Sequence, residues 1–330
     1  MVNISRRAAL LGTASVAFMT AFANAPARAA APAAGKQAPG FYRYKVGDIE
    51  ITVVTDGVAR GKLMNNFVTN VKEEEVKAAL AAAHKDRDVF DNTFTPIVLN
   101  IGGKLVLIDT GTGEANFTAS KGTAGQFTNN LVAAGLNPGM IDTVIISHFH
   151  GDHMNGLLKA DGSPAFPNAE ILVPAAEHKY WMDDGEMSRA PKGRIEGLFK
   201  NSRRVFAGEV AKRLRTYEWE KDVVPGIMAT GTPGHSPGHT SFIVSSGTGK
   251  VYVQSDATHV PYLFVRNPGW HAFYDQDPVM AEATRRKMLD MLASERMMVQ
   301  GFHYPFPSHA YIEKSGNGYR EVMAAWNPSI

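Results

Sequence analysis

The feature that most constrains the fold and the chemistry of this chain is a short motif with four possible metal ligands. The motif HFHGDH (148–153) directly follows TVIIS (143–147), an apolar run typical of a strand buried on both faces. In extended backbone, residues two apart point to the same side, which places the first two histidines together. A turn at the glycine then directs the aspartate and the last histidine towards the same space. The four candidate ligands are His148, His150, Asp152 and His153. Imidazole and carboxylate groups suit zinc and related divalent metals.

Three more candidate ligands stand downstream, each where a predicted strand meets a loop. His235 lies in GTPGHSPGH (231–239), Asp256 ends VYVQSD, and His303 follows MMVQGF. Site residues are usually carried on loops that a rigid scaffold positions. Together with HFHGDH, these residues predict a metal centre with enough donors for two ions.

The composition excludes several classes of protein and of site. The chain has no cysteine, which rules out disulfides, thiol catalysis, iron–sulfur clusters and thiolate metal ligands. Its 34 basic and 32 acidic residues give a formal charge of +2, so nucleic acid is not an expected partner. No apolar run reaches the 18 residues or more that would indicate a membrane span. We expect a small-molecule substrate.

The N-terminal sequence has the pattern of a targeting segment. Arg6 and Arg7 precede a weakly apolar run (8–23), and Ala27-Arg28-Ala29 has the shape of a signal-peptidase site. Paired arginines are the mark of a twin-arginine export signal, although Ala9 stands where that motif usually has phenylalanine. We predict a cleaved signal at 1–30, a flexible mature N-terminus at 31–40, one domain at 41–330, and a periplasmic or secreted protein.

Strand and helix patterns alternate through the rest of the chain. Residues 96–101 and 104–109 flank Gly102-Gly103 as a hairpin, and 71–84 has a helical pattern. Residues 277–292 also predict a helix, with Met280 and Met288 on its apolar stripe. This order favours an α/β protein in which two sheets pack together with helices outside.

The order HFHGDH, TPGH, an aspartate closing a strand and a late histidine resembles the metallo-β-lactamase fold superfamily. Within it, residues 41 to about 327 are similar to the methyl parathion hydrolase family and its ester- and lactone-cleaving relatives, in stretches such as KLVLIDTG (104–111) and GHSPGHT (234–240). The resemblance implies a four-layer αβ/βα sandwich and a homodimer. It also implies one metal held by His148, His150 and His235, a second held by Asp152, His153 and His303, and a bridging Asp256.

The same resemblance assigns roles to residues around the metals. Asp109 in LIDTG would support a ligand, and His239 is interpreted as orienting the site without binding metal. The expected cofactors are two divalent ions, with zinc preferred, which would activate water for attack on a carbonyl or phosphorus. Asp256, Asp152 and His259 are the predicted catalytic residues. The predicted substrate contacts are Phe117, Trp181, Phe199, His259, Trp270 and Tyr274.

These features predict an exported binuclear hydrolase of an aryl ester or lactone, with organophosphotriester cleavage as a possible side activity. His259 stands where methyl parathion hydrolase is aliphatic, which favours a carboxylic ester or lactone over a thiophosphate. The alternatives are an acyl-homoserine lactonase and methyl parathion hydrolase itself. A more distant one is a non-catalytic periplasmic metal-binding protein.

Overall fold

The computed structural model describes residues 33–35 and 37–330. Pro39–Ile330 forms one compact unit. The described residues before it have no regular structure. The predicted export signal at 1–30 lies outside the described residues. None of the helices in the described part is both long enough and apolar enough to cross a bilayer.

The first large sheet contains the strand that leads into HFHGDH. Its seven strands lie in the order β1-β2-β5-β6-β7-β8-β9. They are β1 (Phe41–Val46), β2 (Ile49–Val54), β5 (Ile97–Ile101), β6 (Lys104–Ile108), β7 (Thr143–Ile145), β8 (Glu170–Pro174) and β9 (Leu214–Tyr217). The predicted hairpin pairs β5 with β6, and Ile97 faces Ile108. From β6 to β9 the neighbouring strands are parallel, so their carboxyl ends lie at the same edge of the sheet. The motif HFHGDH follows β7 at that edge.

The second large sheet also has seven strands, in the order β10 to β16. They are β10 (Asp222–Val224), β11 (Ile227–Gly231), β12 (Thr240–Ser246), β13 (Gly249–Ser255), β14 (Met298–Gly301), β15 (His309–Ser315) and β16 (Gly318–Met323). A separate hairpin pairs β3 (Gly57–Lys62) with β4 (Val89–Phe94). Asp256 follows β13 directly, and His303 follows β14 by two residues.

Ten α-helices lie in the described part of the chain. They are α1 (Glu73–Ala82), α2 (Glu114–Ala119), α3 (Phe127–Ala133), α4 (Gly151–Met154), α5 (Ala175–Met182), α6 (Asp184–Arg189), α7 (Arg194–Val205), α8 (Gly208–Lys212), α9 (Pro261–Phe264) and α10 (Pro278–Glu295). Short 3₁₀ turns occupy Pro138–Met140 and Asn155–Leu157.

Three apolar clusters separate four layers. One lies between the two sheets and joins residues such as Ile51 and Ile145 to Phe242 and Val253. A second packs the outer face of the first sheet against α3, α5 and α7, and a third packs α10 against the second sheet. The predicted α/β sandwich is therefore confirmed, because each sheet buries one face against the other sheet and one against helices.

The apolar stripe predicted for the last long helix is partly wrong. Met280 is exposed, whereas Met288 is buried as expected. Arg285 lies on the buried face instead, and its guanidinium group is satisfied inside the protein. The Asp277 side chain caps the helix by accepting a hydrogen bond from the Met280 amide (2.9 Å).

Candidate metal centre

The fold brings all seven predicted ligands together at one edge of the two sheets. The ligand atoms of His148, His150, His235 and Asp256 lie within 4.8 Å of one another, and so do those of Asp152, His153 and His303. These residues come from four loops that are far apart in the sequence. The two groups contain the sets that the family resemblance implies, and His259 also groups with His235 and Asp275 and with Asp256 and His303.

Asp256 lies between the two groups. Its Oδ2 is 3.3 Å from His235 Nε2 and 3.1 Å from His303 Nε2, and its Oδ1 is 3.1 Å from His153 Nε2. A carboxylate in this place contacts both groups, which is what a bridging ligand requires.

The unsatisfied polar atoms at the site fit metal binding. His148 Nε2, His153 Nε2 and Asp256 Oδ1 are buried and have no hydrogen-bond partner among the described residues. His153 Nε2 and Asp256 Oδ1 lie 3.1 Å apart without a hydrogen bond between them. Leaving such atoms unpaired is costly unless something else binds them. The donor set of imidazoles and carboxylates suits zinc.

Burial and charge prepare these side chains to bind a cation. Burial, reinforced by neighbouring histidines, holds the pKa of His148 and His150 well below the ordinary value, so both imidazoles are neutral. Burial alone would raise the pKa of Asp256, but the adjacent His153, His303 and His259 together lower it well below its usual range. Asp256 therefore stays ionised, and its charge would favour a bound cation.

Asp109 lies against the candidate ligand His153, a position from which it would orient that imidazole. Its Oδ2 is 2.8 Å from His153 Nδ1, and its Oδ1 accepts a hydrogen bond from the Ser147 amide (2.8 Å). The backbone of Asp109 has a φ of 60°, a conformation that asparagine and aspartate tolerate better than most residues.

His239 supports the bridging aspartate through the backbone. Its Nε2 accepts a hydrogen bond from the Asp256 amide (2.9 Å), and its Nδ1 is 2.8 Å from Thr232 Oγ1. Burial lowers the pKa of His239 to about 3, so its imidazole stays neutral and can accept that bond. From this position His239 would orient the site, and that it does so without binding metal stays a prediction.

Replacing Asp109 with asparagine should weaken metal binding by about 10- to 100-fold, the usual effect of changing a group that orients a ligand. The substitution keeps the side-chain shape and tolerates the positive φ, but it removes the charge beside His153. Competition with a chromophoric chelator measures the affinity. Asp142→Asn is the matched control, because Asp142 is partly exposed and bonds to Lys104 and to the Leu105 amide rather than to a candidate ligand. Equal zinc affinities in the two variants would contradict the assigned role.

Two residues that hold the site together carry no clear signal in the sequence. Glu177 in α5 is fully buried, and its carboxylate accepts hydrogen bonds from the amides of Phe149 (3.0 Å) and Gly238 (2.6 Å). It thereby ties HFHGDH to the loop of His235. A side chain at Gly238 would collide with the α5 backbone, which explains a glycine at that position. Asp275, whose Oδ1 is 2.9 Å from His235 Nδ1, was also not predicted.

His259 reaches the centre of the site. Its Nε2 is 3.3 Å from Asp256 Oδ2, and its ring stacks on His303 with centroids 4.6 Å apart. Both of its ring nitrogens are buried and lack a hydrogen-bond partner in the described part of the chain. Burial holds its pKa well below the ordinary value although Asp256 opposes this, so the imidazole is neutral and still offers one N–H donor.

The structure places the predicted aromatic substrate contacts in different environments. The prediction is wrong for Trp181 and Phe199, because both are fully buried in the core between the first sheet and its helices. The centroids of their rings lie 4.6 Å apart. Phe117 is exposed on α2 beside Gly122, and no ring contact joins it to the ligand histidines. Trp270 packs with the cluster around α9. Only Tyr274 lies beside the site, with its ring 4.1 Å from that of His259.

A sequence profile of the metallo-β-lactamase superfamily matches residues 95–301, which span the ligand loops from HFHGDH to Gly301. The chain belongs to this superfamily. His303 lies two residues beyond the matched region. The match also agrees with the two-sheet architecture.

Curated relatives of this superfamily member are N-acyl homoserine lactonases from Bacillus. The lactonase AiiA of Bacillus thuringiensis subsp. kurstaki is 26% identical over 175 residues, 53% of this chain and 60% of that protein. A lactonase of Bacillus cereus is 26% identical over 170 residues, 51% of this chain and 58% of that protein. The chain thus spans about 60% of the length of these relatives. They support the superfamily without singling out methyl parathion hydrolase.

Two solved structures share the whole fold. The hydrolase AbOPH of the β-lactamase superfamily is 28% identical with a TM-score of 0.80, covering 88% of this chain and 100% of that one. AidC, a dizinc quorum-quenching lactonase, has a TM-score of 0.78 over 87% of this chain and 98% of that one. At 24% identity, AidC shows the fold alone.

Proposed function

We propose that this superfamily hydrolase binds two zinc ions and opens the ring of an acyl-homoserine lactone. The observation that carries the two-metal proposal is Asp256, whose two oxygens lie against both groups of ligands. His148, His150 and His235 would hold one ion, and Asp152, His153 and His303 the other. The lactone is supported by the lactonases among the relatives.

The chemistry follows from the ligand set. When bound, two zinc ions supply hydroxide at neutral pH and stabilise charge that develops on the carbonyl oxygen. The protein contributes fixed positions for the ions through Asp256 and the histidines. His259 offers its N–H to an oxygen of the substrate, since neither of its nitrogens is otherwise bonded. The buried surroundings limit access of bulk water and strengthen these electrostatic contacts.

An apolar cleft beside the metal centre supports a substrate with an apolar tail. It has a volume of about 280 Å³, close to the lower end for small-molecule sites. Tyr274 lines the cleft and also contacts His259, which connects the cleft to the ligands. The other lining residues are Ala59, Arg60, Gly61, Lys62, Met64, Phe67, Phe90, Asn92 and Phe273. An acyl chain attached to a lactone held at the metals could extend into this space.

A panel of four substrates tests the proposal on the zinc-loaded protein. It contains decanoyl-homoserine lactone, dihydrocoumarin, an aryl acetate and methyl paraoxon. We expect the highest kcat/KM on decanoyl-homoserine lactone. A higher value on the aryl acetate would favour the aryl esterase instead, which the aromatic rings of Phe67, Phe90 and Phe273 in the cleft also suit. No turnover of any substrate with two zinc ions bound would favour a metal-binding protein.

The length of the substrate's acyl chain should control kcat/KM for lactone cleavage, because the acyl chain would occupy the cleft. Each buried methylene contributes about 0.8 kcal/mol, so a decanoyl chain should be preferred over a butanoyl chain by at least about tenfold in kcat/KM. Met64→Glu places a charge in the cleft, where Met64 is 50% exposed, and should abolish that preference. Met140→Glu, at an exposed methionine that does not line the cleft, should retain it. Equal chain-length profiles in the two variants would contradict this use of the cleft.

We also propose that residues 1–30 are a cleaved export signal and that the mature protein is a homodimer in the periplasm or secreted. The paired arginines and the Ala27-Arg28-Ala29 site support export. N-terminal sequencing of the periplasmic fraction tests cleavage, and an Arg6→Lys/Arg7→Lys variant should stay in the cytoplasm. Light scattering of the purified protein tests the dimer.

A further inference from the structure

Arg285 is a buried charge that the proposed chemistry does not use. It lies on the inner face of α10 and is 2% exposed. A buried arginine is costly unless its charge and its donors are satisfied. The residues that satisfy Arg285 all belong to the segment 257–275, which follows Asp256 and carries His259, Phe273 and Tyr274.

Three backbone carbonyls of that segment accept hydrogen bonds from the guanidinium group. Nη1 donates to the carbonyls of Pro268 (2.9 Å) and Trp270 (2.6 Å), and Nε donates to that of Ala257 (3.4 Å). The guanidinium carbon also lies 5.4 Å from the centroid of the Phe264 ring. Arg285 therefore contacts the beginning, middle and end of the segment that forms one wall of the site.

The fourth contact leads to a candidate metal ligand. Nη2 of Arg285 donates to Asp275 Oδ2 (3.2 Å), and Asp275 Oδ1 lies 2.9 Å from His235 Nδ1. The carboxylate thus joins the guanidinium to the imidazole. A hydrogen bond from Nδ1 to a carboxylate fixes the tautomer of a histidine and the direction of its ring, which leaves Nε2 facing Asp256.

We propose that Arg285 is a positioning residue that acts on the metal centre in two separable ways. Through Asp275 it orients His235, and through the three carbonyls it holds the wall that carries His259 and Tyr274. The inference rests on the proposed two-metal centre and is independent of which substrate the enzyme cleaves. It predicts that one side chain outside the ligand set controls both zinc affinity and substrate binding.

The two actions can be separated by substitution. Asp275→Asn keeps the carbonyl contacts of Arg285 but weakens the link to His235, so zinc affinity should fall about 10- to 100-fold with little change in KM. Arg285→Lys keeps the charge but cannot reproduce the planar fork of the guanidinium. It should lower zinc affinity about tenfold, raise KM about tenfold for whichever substrate of the panel the wild type cleaves best, and leave kcat less affected.

Hydrogen exchange of the metal-free protein reports on the wall without any turnover. The amides of 257–275 should exchange faster in Arg285→Lys than in wild type, and at the wild-type rate in Asp275→Asn. Arg189→Lys is the matched control, because Arg189 is an exposed helical arginine that pairs with Glu186 one turn away. It should match wild type in zinc affinity, KM and exchange.

The double variant Asp275→Asn/Arg285→Lys tests whether the first action passes through Asp275. Its loss of zinc affinity should equal that of Asp275→Asn alone, because the two changes interrupt the same link. Additive losses would overturn that link. Unchanged KM and unchanged exchange in Arg285→Lys would overturn the role of Arg285 in holding the wall. A wild-type protein that binds no zinc would instead contradict the proposed function.

Discussion

Asp256→Asn should lower kcat/KM for lactone cleavage by about three orders of magnitude or more, which corresponds to several kcal/mol of lost electrostatic stabilisation. The substitution keeps the shape of the side chain but removes the charge that lies between the two groups of ligands. Steady-state kinetics with excess zinc measures the loss. Circular dichroism checks that the fold is retained.

Asp161→Asn provides the control for this change. Asp161 is also an aspartate in a loop, but it is exposed and bonds only to neighbouring Ser163. Its kcat/KM should match the wild type. If Asp256→Asn keeps more than about a tenth of the wild-type kcat/KM with two zinc ions bound, the two-metal mechanism is wrong.

Removing the metals should abolish activity and lower thermal stability together. The apoprotein leaves buried His148, His153 and Asp256 atoms without partners. A ligand present at a thousand times its dissociation constant stabilises the folded state by about 4 kcal/mol. For a domain of this size that corresponds to a rise in Tm of about 5–10 °C on adding zinc. Differential scanning calorimetry before and after chelation measures the shift.

The number of metal ions bound per chain is needed to interpret the chelation experiment. Elemental analysis should find two zinc ions per chain in the wild type, and His303→Ala should bind about one, because it removes a ligand of only one group. Re-addition of zinc should restore wild-type activity. Activity that survives dialysis to a metal-free protein would contradict the proposed function, whatever the Tm shift.

The ligand set could be predicted because its information is local. HFHGDH places four donors within six residues, and the strand before it is visible as an apolar run. His235, Asp256 and His303 are recognisable as polar residues that follow strand-like runs. The resemblance to a known superfamily added the grouping of these ligands, and the structure brings both groups together.

The aromatic contacts were harder to predict because burial and pocket lining use the same residues. Trp181 and Phe199 look like pocket residues in the sequence, yet both lie in the core with the helices of the first sheet. Phe67 and Phe90 line the cleft but were not predicted. An aromatic side chain does not reveal which of two apolar environments it enters until the elements pack.

By itself, the sequence determined the α/β architecture, the identity of the candidate ligands and the presence of the helix α10, all of which depend on neighbouring residues or on regular periodicity. Only the tertiary structure decided that Glu177 ties two ligand loops together, and that Arg285 and Asp275 lie behind His235. These charged side chains look like surface residues in a helical or loop pattern. Their burial is tolerated because partners far away in the chain satisfy them, and such pairing exists only after folding.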